Sequence, residues 1–97
     1  MLRQIDKLTG LNYVDWLQNL RIVLRMEKKE RALEVPLPEV PAAGASRAIR
    51  EEYEKRLTKS NEVACLMLAT MVPELQKGIE SLGAYNMINQ LKDMFQK

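Results

Sequence analysis

The sequence predicts an all-α protein, a small bundle of about four helices, two long, one short and one terminal, and three observations carry that expectation. Apolar residues recur at spacings of three and four over long segments. Proline and glycine fall mostly between those segments. Nowhere does apolar and polar alternation of strand length occur between hairpin turns. The 97 residues suffice for one core, so positions 1–97 are read as a single domain. With 46% hydrophobic and 29% charged residues, the chain is too apolar to stay disordered. Aromatic residues are few, so Leu, Ile, Val, Met and Ala must build most of the core, and the six Met residues suit adaptable packing.

The first helix is expected from Tyr13 to about Arg31. Gly10 supplies a turn before it, Asn12 an N-cap, and Asp15 the carboxylate of a capping box near the positive helix end. Leu11 and Trp16 occupy the two positions of a hydrophobic staple. Tyr13, Trp16, Leu17, Leu20, Val23 and Leu24 form the buried stripe, while Arg21, Arg25, Lys28 and Lys29 fall mostly off it. From about 35 to 46 the prolines remove backbone donors and disfavour helix in the residues before them, which predicts an extended interhelical connector. Its PxxP-like spacing also fits an SH3-type ligand, but the connector is the plainer reading.

Ser46 is expected to cap a second helix reaching about Val72, with Ile49, Tyr53, Leu57, Ala64, Met67, Leu68 and Met71 on its apolar faces. Thr58 to Asn61 is weak helix-forming material, yet one continuous helix is favoured over a break there. Pro73 suits the first turn of a short helix to about Leu82, weakened by Gly78 and ended at Gly83. The last helix, about Ala84 to Gln96, sets Tyr85, Ile88, Leu91, Met94 and Phe95 along one side.

Chemistry is sparse. The chain has no histidine, which removes the commonest general base and metal ligand. Cys65 is the single cysteine; it lies in an apolar run and is read as a buried thiol with nothing to activate it. No Gly-rich phosphate loop, zinc spacing or calcium loop occurs, and the carboxylates near Glu51 lie on an exposed face. The chain is therefore read as no enzyme, with no cofactor, no metal and no small-molecule substrate. The apolar run from Val63 to Val72 is about half the ~20 residues that span a bilayer, so no membrane partner is expected. The start, with Arg3, Asp6 and Lys7, lacks a signal-peptide pattern, and an intracellular, reducing, cytoplasmic setting is expected. Fifteen basic against thirteen acidic side chains, largely interleaved, do not make a dedicated nucleic-acid binder. The set Arg21, Arg25, Lys28, Lys29 and Arg31 implies at most a weak, salt-sensitive attraction to RNA, diluted by Glu27, Glu30 and Glu34.

Several landmarks in order resemble the amino-terminal capsid region of Ty1/copia-type retrotransposon Gag polyproteins. They are the opening Leu8 to Trp16, with Gly10, Asn12, Tyr13 and Trp16; the Leu20 to Leu24 stretch; and Leu33 to Pro38 before the loop. Later come Tyr53, the Ala64 to Met71 run followed by Pro73-Glu74-Leu75, and the closing Ala84 to Ile88 with Leu91 to Phe95. Many family members carry Trp where this chain has Tyr53, and often another where it has Ile88. The resemblance implies a retroviral-capsid-like amino-terminal domain that associates with itself into a virus-like particle around RNA. It also implies an assembly face on the exposed side of the first helix, including Arg21, Arg25 and Lys28. The second capsid half, the zinc knuckle and the protease of such polyproteins fall beyond the resemblance. An alternative is a host-retained Gag remnant acting as a protein-binding or RNA-binding adaptor.

Overall fold

Gly10 turns the chain into the first helix. In the computed structural model, which describes residues 6–95, its φ is +115°, and a Cβ there would stand 3.1 Å from Cε1 of Phe95. Five helices follow: α1 (Tyr13–Met26), α2 (Arg31–Glu34), α3 (Arg47–Ala69), α4 (Pro73–Gln76) and α5 (Ala84–Phe95). Among the described residues there is no strand, only an isolated parallel bridge between Leu8 and Met71. The protein is a small all-α bundle. The expectations for Arg3 and for a last helix reaching Gln96 lie outside the described residues.

Helix α1 buries Tyr13, Trp16, Leu20, Val23 and Leu24, the stripe that the spacing predicts. Its ends differ from expectation. Asn12 occupies the N-cap position, but its side chain makes no capping bond. Its Oδ1 instead accepts from the Thr9 backbone N–H at 2.9 Å, and its amide donates to the Lys7 carbonyl at 2.9 Å, so it braces the preceding turn. No capping box forms. Leu11 is fully exposed, so no staple forms with Trp16 either.

At the other end α1 stops five residues short of Arg31. Lys28 adopts a left-handed conformation with φ of 59°. The Lys29 N–H then donates to the Leu24 carbonyl at 2.8 Å and the Lys28 N–H to the Arg25 carbonyl at 3.2 Å. That pair of bonds is the Schellman termination, with lysine where glycine is commonest. Residues expected to continue α1 re-form as the separate short helix α2, which buries Leu33.

Helix α3 is continuous for 23 residues, through Thr58 to Asn61, and ends at Thr70 instead of Val72. Ser46 caps it as predicted, Oγ accepting from the Ile49 N–H at 3.2 Å. Its buried residues are Ser60, Val63, Ala64 and Met67. No residue from Arg47 to Lys59 is fully buried, and only Tyr53, Arg56 and Leu57 are half-buried, so the first half of the helix lies at the surface. A helix of this length spans about 35 Å, a large part of the longest molecular extent of 47 Å. Cys65 is exposed, contrary to the buried thiol expected. It stands two residues, some 200° of helix rotation, from Met67 on the core face.

Thr70 ties the amino-terminal segment and α1 to the end of α3. Its hydroxyl lies 3.0 Å from the carbonyls of Leu66 and Met67 and accepts from the Trp16 indole N–H at 3.1 Å. Its carbonyl accepts from the Leu8 N–H at 2.7 Å, and the Val72 N–H donates back to the Leu8 carbonyl at 3.1 Å. Pro73 opens α4 as expected, but α4 has four residues and does not continue to Leu82. The chain around Gly78 tightens into turns with bonds from Ile79 to Gln76 and from Leu82 to Ile79, and these turns bury Ile79. In α5 the buried face is Ala84, Met87, Ile88 and Leu91. Tyr85 and Phe95 are only half-buried and Met94 is exposed, so the face is rotated from the one expected, with Met87 in their place.

Candidate functional site

The landmark residues of the sequence divide by place. Tyr13, Trp16 and Leu91 are buried in the core. Phe95 packs its ring 5.7 Å from that of Tyr13, and Tyr13 lies 6.3 Å from Trp16, which closes the amino-terminal turn at Gly10 against the end of α5. Burial pushes the Tyr13 phenol above its ordinary value of 10.0, an effect opposed by the positive charge of Arg21. Its hydroxyl is buried without a hydrogen-bond partner among the described residues. Asn12 braces the turn, Pro73 starts α4, and Tyr53 is half-buried on α3 away from the other landmarks.

The four cations expected to share a face are separated. Arg21 stands 3.7 Å from Glu34, and Arg25 stands 3.5 Å from Glu30. Both project from the outward side of α1, in helical register with Val14, which is 65% exposed. Lys29 turns the other way. It bonds Glu62 of α3 at 2.5 Å and Glu27 at 3.2 Å, so it fastens the α1 termination to α3. The bond to Glu62 first, and that to Glu27 second, raise its pKa. Lys28 leaves the helix axis altogether through its left-handed backbone.

That departure builds one side of a cleft of about 370 Å³. Lys28, Lys29 and Arg31 line one wall, and Lys55, Arg56 and Lys59 of α3 line another. Against these six cations stands a single carboxylate, Glu52. Of the six, Lys29 alone takes part in an ion pair among the described residues. The floor includes Gly83, Tyr85 and Asn86, the start of α5. The first bond of that helix runs from the Met87 N–H to the Gly83 carbonyl, and the N–H groups of Ala84, Tyr85 and Asn86 have no backbone acceptor among the described residues. The positive end of the α5 dipole therefore adds to the field of the cations.

Lys55 and Arg56 fall on a helix face expected to stay wet, and nothing local in the sequence connects them with Lys28. The signal within α3 is the spacing of Lys55, Arg56 and Lys59, which brings one turn of cations to one side. The signal for the cleft as a whole is absent from any single segment. Among the described residues no cluster of His, Cys, Asp or Glu is placed to hold a metal ion, and no helix is long and apolar enough to cross a membrane. Comparison with protein-family models, with curated proteins and with solved structures finds no match to this chain.

Proposed function

We propose that this chain is a structural domain of the copia-type Gag capsid kind, which associates with copies of itself into a shell around RNA. One observation supports the reading above others: the landmark segments that carry the resemblance, distant in sequence, pack as a unit. Leu8 pairs with Met71, Trp16 bonds Thr70, and Tyr13 and Gly10 meet Phe95. Landmarks that share one core are what the reading expects of a single capsid-type domain.

The outward side of α1 is the assembly face in this reading. It begins with Leu11 and Val14, large apolar groups left in water, and continues through Arg21 and Arg25 beside Glu34 and Glu30. A two-fold contact between copies would cover the apolar start and exchange partners among the flanking charges. Each contact is small, and a shell multiplies it. Light scattering against concentration, with electron microscopy of the same samples at low and moderate salt, tests the proposal. Concentration-dependent oligomers or shells are expected. A strict monomer throughout would contradict self-association by this domain and favour the adaptor role.

A further inference from the structure

We propose that the cleft between the α1–α2 turn, α3 and the start of α5 is a binding site for a compact anion carrying several phosphate groups. The inference stands apart from the Gag reading. Its first ground is the distribution of charge. The whole chain has fifteen cations and thirteen acids, a net charge of +2, whereas the cleft lining gathers Lys28, Arg31, Lys55, Arg56 and Lys59, none of them in an ion pair among the described residues, against Glu52, with Lys29 beside them already paired to Glu62 and Glu27. Like charges gathered in a concave, partly apolar setting repel one another and focus a positive potential, which a bound polyanion relieves.

The second ground is geometry. Lys55, Arg56 and Lys59 come from one turn of a long, continuous helix, and Lys28 and Arg31 face them from a different part of the chain. Cations on opposing walls suit a ligand held between them, whereas a solvated helix face needs no opposing wall. The start of α5 supplies free N–H groups and a helix dipole to the same cavity, an arrangement that favours phosphate. Lysine provides flexible point charges and arginine planar forks, so the set can meet several phosphate oxygens at once.

The third ground is size. A volume of about 370 Å³ lies in the range of small-molecule sites and does not form a track along the surface. Tyr85 is the sole aromatic in its lining, which does not make the row of stacking platforms found in single-strand binders. Tyr85 with Val35, Pro36 and Leu37 instead offers an apolar border against which a nucleoside can rest. The ligand class is therefore a triphosphate, free or as part of a nucleotide.

Isothermal titration of the full chain with inorganic tripolyphosphate and with ATP, at low and moderate salt, tests the inference. Saturable one-to-one binding that weakens with salt is expected. Equal affinity for the two probes would mean that phosphates alone are read; tighter ATP would add the apolar border to the site. The triple variant Lys55→Ala/Arg56→Ala/Lys59→Ala should bind at least about tenfold more weakly. The triple Arg47→Ala/Arg50→Ala/Lys77→Ala removes the same charge outside the cleft and should bind within about twofold of the unaltered chain. Circular dichroism of both variants checks that α3 persists. Absence of binding at low salt, equal loss in the two triples, or cleft-dependent binding of a single-stranded RNA of about 20 nucleotides without binding of either triphosphate would overturn the assignment.

Discussion

Two residues at the amino-terminal turn carry opposite lessons about side-chain fit. At Gly10 the φ of +115° strains any side chain, and a Cβ would crowd the Phe95 ring at 3.1 Å. Gly10→Ala should cost about 1–3 kcal/mol in urea unfolding; an unchanged midpoint would mean that the turn is free to relax. At Tyr13 the ring fits the core between Trp16 and Phe95, but the hydroxyl is buried without a partner among the described residues. Tyr13→Phe should therefore leave stability unchanged or raise it by about 1 kcal/mol, because it removes a desolvated polar group and keeps the ring. Trp16, the single tryptophan, reports both transitions by fluorescence. A loss of stability in Tyr13→Phe would reveal a hydrogen bond to that hydroxyl.

Helix α1 ends on Lys28 in a conformation that most side chains avoid. Lys28→Gly should stabilise the chain by about 1 kcal/mol through relief of that backbone cost; destabilisation would mean that the Lys28 side chain holds the turn. The same variant should weaken triphosphate binding, the pattern expected where a local rule is broken at a functional position. The interior of α1 was readable because its apolar residues repeat with the helical period. Its ends were not, since Asn12 has two sets of backbone neighbours to bond, and a run of helix-favouring residues past Met26 does not reveal a left-handed lysine. Composition also misplaced Cys65: an apolar run specifies burial on average, while the face of α3 is chosen by Ser60, Val63, Ala64 and Met67 together. In α5 the core takes Met87 on a neighbouring phase of the same amphipathic pattern. The basic cleft is not legible in the sequence because it joins residues near 28, 55 and 84, and no local period connects those segments.

Two groups give the fold a response to alkaline pH. The fold favours the neutral phenol of Tyr13, so its contribution is full below the unfolded value near 10.0 and is lost as pH rises through the higher folded value. The fold favours the charged form of Lys29, so its contribution is likewise full below 10.5 and lost above it. Both effects act in the same direction, and stability should decline above pH 10, as thermal unfolding at stepped alkaline pH would register. A flat profile there would remove the roles given to Tyr13 burial and to the bonds of Lys29 with Glu62 and Glu27.

At neutral pH the core is closed and the unfinished features are on the surface: the outward side of α1 and the basic cleft, one wall of which is the first half of α3. The first of these is the face proposed for self-association. Leu11 and Val14 are exposed and make no part of the core, so Leu11→Asp/Val14→Asp should leave the fold intact. The most direct measurement is sedimentation equilibrium of the unaltered chain and of this variant over the same concentrations. Mass should rise with concentration in the former and stay at the monomer in the latter; equal masses in both would rule out assembly through α1.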